Sequence, residues 1–160
     1  PFDGKVKHVL DVRKGNWPFA DNSVDEARAS HFLEHLTNLD DKWERVIFFN
    51  ELWRILKPNA GCMIPIPHWG HMRYYGDPTH KEPFSEFGLF YLSKDWRTTN
   101  CPHADSRWNP QGYSCDFNAW INGYMDDPQV AARNIEFQGF AHQFYRNGAA
   151  DMIFTVQKKG

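Results

Sequence analysis

Paired cysteines are absent. Cys62, Cys101 and Cys115 are the only three in 160 residues, and none sits in a CxxC pair. That argues against a disulfide framework and suits free thiols in a reducing compartment. Long apolar runs are also missing: no stretch reaches the eighteen or so residues that a membrane span needs, and residues 1–7 lack a signal-peptide pattern. A soluble, cytoplasmic protein with no membrane partner is expected. Charge of one sign never accumulates, because the 18 basic and 20 acidic residues are spread along the chain and leave a net charge of -2. No segment would track a phosphate backbone, so a nucleic-acid partner is unsupported. No internal repeat or low-complexity segment occurs. What is present is core material. Apolar residues make up 41% of the chain and aromatics 16%, with 7 Trp, and a chain of this length can bury about two thirds of its unfolded surface in one domain.

Residues 6–12 form a short run rich in Val and Leu, followed by turn-prone Lys14, Gly15 and Asn16, which predicts a strand. A polar turn at residues 20–23 leads into residues 24–30, a second short strand. Trp43, Val46, Ile47, Phe49, Leu52, Trp53 and Leu56 recur at helical spacing, and Lys57, Pro58 and Gly61 are stop signals, so a helix over 43–56 is expected. Residues 62–66 read as a buried strand. Pro65, Pro67, Pro78 and Pro83, with Gly70 and Gly76, then break the chain, so residues 68–84 should be a long irregular excursion. An aromatic-rich short helix is expected at 85–92. Residues 98–114 should be irregular, pinned by Trp108 and Tyr113. Asp127-Pro128 can start a helix, since Asp caps well and Pro suits the first helical position. Asn147-Gly148 is a hairpin signal, and Met152, Phe154 and Val156 alternate as in a strand.

The words match a family as well as the order of elements does. Asp11, the Trp17-Pro18-Phe19 step, Asp21 to Glu26, Ser30 to Leu36, and Glu51 to Pro58 resemble consecutive motifs of the class I S-adenosylmethionine-dependent methyltransferases. Pro67-His68-Trp69, the run from Gly76 to His80 and the closing residues 151–159 are similar to short methyltransferase-like proteins of phage and environmental genomes. The resemblance covers nearly all of the chain. It implies an α/β, Rossmann-like domain over residues 1–160, with a mostly parallel sheet ending in a C-terminal antiparallel hairpin. Ligands in such a sheet lie beyond the carboxyl ends of its strands.

By the same resemblance, S-adenosylmethionine is the cofactor: Asp11 takes the adenine amino group, the Val12 backbone N–H the ring nitrogen beside it, and Ser30 and His31 line the methionine portion. The family's glycine-rich turn, which lets backbone approach the cofactor, is missing. Gly4, Gly15, Gly61, Gly70 and Gly76 stand alone, and no acidic strand end for the ribose hydroxyls precedes Asp11. With Pro1 as first residue, the expectation is that the N-terminal strands of the sheet are missing from this sequence.

His68, His71, Asp77, His80, His103 and Asp105 crowd the irregular segments and are the candidates for contact with the unidentified methyl acceptor. His68 and His80, with Asp77 starting the turn before His80, are the expected catalytic group, because an imidazole titrates near neutral pH. If residues 62–66 run parallel to 24–30, His31 and His68 should emerge as neighbours on one sheet edge. His31-Phe32-Leu33-Glu34-His35 also spells HxxEH, which on a helix could hold zinc as in a peptidase. Within a strand-to-helix junction it is read as fold, and no metal is assigned. Cys115 has no identifiable base and is given no role. A function of another class stays open: a non-catalytic binding or assembly protein that retains a truncated methyltransferase fold, its apolar edges covered by partner chains or in a homo-oligomer.

Overall fold

The computed structural model describes residues 10–160. The expected strand at 6–12 therefore falls largely outside the described residues, and its last three, Leu10 to Val12, form coil and turn. Among the described residues four strands make one sheet in the order β1 (Val24–Arg28), β2 (Leu56–Pro67), β4 (Ala149–Lys158) and β3 (Phe117–Asp126). β1 pairs with β2 in parallel, while β4 is antiparallel to both β2 and β3. Three strands consequently point one way and the fourth is inserted against them. The mostly parallel expectation holds for strand direction but not for pairing, since two of the three ladders are antiparallel.

The helix α1 (Glu44–Ile55) forms where the spacing predicts, burying Val46, Phe49, Leu52 and Ile55. Its first N–H groups would be orphaned, because Trp43 offers no capping side chain. The preceding loop supplies the partners. Glu44 N–H donates to the Thr37 carbonyl at 2.8 Å, Arg45 N–H donates to Asn38 Oδ1 at 3.1 Å, and Glu44 Oε2 accepts from Thr37 N–H at 3.1 Å. Beyond α1 the stop signals act as a bulge inside β2. Val24 faces Leu56 and Glu26 faces Gly61, so residues 57–60 loop out, with Asn59 at φ 67°.

The core joins α1 to the sheet. Phe49 meets Phe117 edge-on, Phe84 stacks on Phe154 at 5.4 Å, and Met152, Phe154 and Val156 alternate inward along β4 as expected. Residues 86–92 form a 3₁₀ turn, and α2 (Met72–Gly76) and α3 (Lys94–Asn100) interrupt the irregular segments. Tyr113 is buried and does anchor the 98–114 region, but Trp108 is 60% exposed and only stacks under Arg107. Arg97 is the other anchor. It is fully buried and donates to Asp105 and to the carbonyls of Tyr91 and Cys115.

Asp127 caps α4 (Pro128–Ala131) through the Gln129 N–H. The Asn147-Gly148 step does not close a hairpin. It follows α5 (Ile135–Phe144) and delivers the chain into β4, whose antiparallel partner β3 lies before both helices. Gly148 is required there because a Cβ would come within 2.6 Å of the Ala141 carbonyl oxygen. Arg97→Ala should cost about 3–5 kcal/mol in urea denaturation, the usual cost of stranding one partner of a buried ion pair. Arg107→Ala, on the exposed side of the same carboxylate, should cost less than about 1 kcal/mol.

Candidate functional site

At the carboxyl end of β1 the chain keeps hydrogen bonding to β2 for two further steps, Ala29 N–H to the Met63 carbonyl and His31 N–H to the Pro65 carbonyl at 2.9 Å. His31 sits at φ 48°, a left-handed conformation that non-glycine residues adopt rarely and at a cost. Immediately before it Ser30 turns toward one cavity, and His31 itself lines another.

The first cavity, about 400 Å³, lies between β1, α1 and the described start of the chain. Leu10, Val12, Ser30, Phe32, Phe48 and Leu52 are among its walls, and it is mostly apolar. Val12 and Ser30, two of the expected cofactor residues, are thus brought together. Asp11 is not. It is a surface residue whose two carboxylate oxygens accept from Arg13 Nε and a terminal nitrogen at 2.8 and 2.9 Å, and those bonds lower its pKa to about 2. For the expected cofactor the fit is partial. The apolar walls suit an adenine ring, whereas among the described residues no carboxylate lines this cavity for ribose hydroxyls and no glycine-rich turn stands beside it.

The second cavity, about 510 Å³, opens beyond the carboxyl ends of β1 and β2 and is lined by His31, Glu34, His35, Arg73, Asp77 and His80 among others. His31 Nδ1 lies 3.7 Å from Glu34 Oε1 and its Nε2 3.7 Å from Asp151 Oδ2. His80 Nδ1 is 2.7 Å from the Tyr74 carbonyl, so that nitrogen carries the proton. His80 Nε2 then faces Glu34 at 3.9 Å and Asp77 at 3.7 Å. Asp77 Oδ1 accepts from the Thr79 N–H and hydroxyl, which lowers its pKa.

His68 stands on the same sheet edge as His31 in backbone terms, its N–H donating to the Ala150 carbonyl. Its ring does not line the second cavity. It is 1% exposed, Nδ1 accepts from the Gly70 N–H, and Nε2 faces Glu86 Oε1 at 3.3 Å. Both ring nitrogens are engaged, so no lone pair is left for a substrate. Glu86 accepts from Trp69 and Tyr124 as well. His103 and Asp105 are set elsewhere, the first beside Cys101 and the second between Arg97 and Arg107. Burial pushes the Cys115 thiol up to about 12, which leaves it inert at neutral pH.

Spacing did not reveal Glu34 and His35 as partners of His80, nor Arg73 and Asp151 as neighbours of His31. The HxxEH string holds two of them, but Leu33–His35 is a 3₁₀ turn rather than an α-helix. The two histidines of the string therefore do not share a helix face, and the peptidase geometry is not formed.

No family model and no curated protein matches this chain. Solved structures do. A SAM-dependent methyltransferase from Archaeoglobus fulgidus superposes with a TM-score of 0.53 at 17% identity, over 88% of this chain and 62% of that one. The YcgJ protein from Bacillus subtilis superposes with a TM-score of 0.50 at 10% identity, over 93% of this chain and 69% of that one. The chain shares the α/β, Rossmann-like fold of this archaeal SAM-dependent methyltransferase. The chain spans 62% of the length of the archaeal neighbour. No described helix is long and apolar enough to cross a membrane.

Glu86 yields a pH prediction. Burial raises its pKa, but hydrogen bonds from His68, Trp69 and Tyr124 outweigh that and bring it down to about 2. A lowered folded value means its stabilisation is present above the ordinary value of 4.5 and is lost as pH falls toward 2. Glu86→Gln should cost about 1–3 kcal/mol at pH 7, and the difference from the unaltered protein should shrink steadily in melts taken between pH 5 and pH 2.

Proposed function

We propose that this protein transfers a methyl group from S-adenosylmethionine to a small acceptor held in the 510 Å³ cavity. One observation carries the proposal: consecutive residues at the end of β1, Ser30 and His31, line two different cavities, one apolar and one polar. A cofactor on the Ser30 side and an acceptor on the His31 side would meet at this step, and transfer requires the two cavities to open onto each other there, with no backbone between sulfonium and nucleophile. When bound, the cofactor supplies an electrophilic methyl group, and the remaining task of the protein is to align a nucleophile with it.

On the cofactor side Leu10, Val12 and Phe32 offer apolar walls, and Ser30 adds a hydroxyl beside them. On the acceptor side Asp77 and His80 front the cavity, and His80 Nε2 takes the proton of an oxygen or nitrogen acceptor. Arg73, half-exposed and 3.4 Å from Asp151, adds a positive group at the rim.

The other reading, a non-catalytic assembly protein, draws on exposed aromatics: Phe87 and Phe90 are 57% and 51% exposed and stack around Trp96. A monodisperse monomer in light scattering would count against it. Methyl transfer is tested by titration calorimetry with S-adenosylhomocysteine on protein expressed from its complete reading frame. Saturable binding is expected, weakened at least tenfold, about 1.4 kcal/mol, by Ser30→Trp, which fills the apolar cavity. No heat from a folded sample would sink the proposal.

A further inference from the structure

Among the described residues, no donor reaches the buried carboxylate of Glu34. The residue is 3% exposed, and neither Oε1 nor Oε2 has a hydrogen-bond partner there. A carboxylate removed from water is costly unless a donor or a cation compensates it. Among the described residues its ion-pair partners are imidazoles, with His31 Nδ1 at 3.7 Å and His80 Nε2 at 3.9 Å from Oε1, both too far for a hydrogen bond, while the buried Arg45 guanidinium acts on it from a greater distance. His35 completes the group: one ligand atom from each of Glu34, His35 and His80 can be chosen so that all three lie within 4.8 Å of one another.

The hydrogen bonds that would orient these ligands are already in place. His80 Nδ1 faces the Tyr74 carbonyl at 2.7 Å and His35 Nδ1 faces the Thr79 carbonyl at 3.2 Å. A ring nitrogen that donates to a backbone carbonyl leaves the other one with its lone pair free, which is how metal-binding histidines are commonly oriented. The backbone carrying these side chains is tied as well. Lys81 N–H donates to the Glu34 carbonyl at 2.8 Å, and the buried Arg45 guanidinium donates to the carbonyls of Leu33, Glu82 and Pro83. The rings of His35 and His80 meet edge-on at 4.9 Å.

We infer that Glu34, His35 and His80 form a binding site for a divalent first-row transition ion of the zinc class. Two imidazoles and one carboxylate make a three-ligand set with bond lengths of about 2.0–2.2 Å and a fourth position open to the cavity. Nitrogen donors disfavour calcium and magnesium, which take oxygen ligands. Asp77, 3.7 Å from His80 Nε2, is placed to hold a water on that fourth position. The site does not depend on methyl transfer. It does alter His80, whose Nε2 cannot both ligate a cation and take an acceptor's proton, so cation-loaded and cation-free protein use this residue differently.

The probe is Zn²⁺ in competition with a chromophoric chelator, with Co²⁺ as spectroscopic reporter. One ion per chain is expected, with the visible bands of four-coordinate Co²⁺. Glu34→Gln and His80→Ala should each lose more than the roughly 10–100-fold in affinity that changes to outer-shell partners cost. His142→Ala, outside the cluster, should lose none. Equal affinity in unaltered and substituted proteins, or six-coordinate Co²⁺ only, overturns the site. Should Glu34→Gln fail to fold, mapping of diethyl pyrocarbonate modification on the unaltered chain decides the matter. Protection of His35 and His80 by Zn²⁺, with His103 unprotected, sustains the site, and uniform modification overturns it.

Discussion

The Arg45 guanidinium projects from the first turn of α1 and draws the carbonyls of Leu33, Glu82 and Pro83 onto one another, and the polar end of the molecule depends on that closure. Burial lowers the pKa of this arginine, yet the group stays charged, and three carbonyl dipoles with Glu82 nearby compensate it. Through this contact the turn after β1 and the long loop after β2 become one surface. Together with the Lys81 N–H bond to the Glu34 carbonyl, it holds Glu34 and His80, which sit on two different loops, against each other.

The frame beneath that surface is set by strand direction. Parallel β1 and β2 put His31 and the segment after Pro67 at the same end of the sheet, where α/β folds place their ligands. Antiparallel β4 reaches the same edge from the opposite direction. It contributes Asp151 at its N-terminal end, opposite Pro67 and 3.7 Å from His31. One inserted strand thus adds a buried carboxylate to an edge that a purely parallel sheet would build only from strand ends. The Glu51 and Arg54 pair of α1 has a different task. Trp17 N–H donates to Glu51, and Arg54 donates to Asp21 and to the carbonyls of Trp17 and Phe19, fastening the turn that precedes β1. Residues whose motif suggests family membership therefore act here as structural ties.

What the sequence determined by itself are features governed by near neighbours. α1 was legible because its apolar residues recur every three or four positions, β4 because Met152, Phe154 and Val156 alternate, and α4 because Asp127 caps it locally. The order of motifs was enough for the fold. Tertiary structure alone decided the partners. The Asn147-Gly148 step has the chemistry of a tight hairpin, but α5 precedes it, and β4 takes its antiparallel partner from before α4 and α5. His68 and His80 looked equivalent as loop histidines. Packing buried one against Glu86 with both nitrogens engaged and left the other with a free nitrogen facing Glu34. The reason is physical: periodicity and capping act over a few residues, whereas the environment of a polar side chain is set by whichever distant backbone folds over it. No local pattern encodes that.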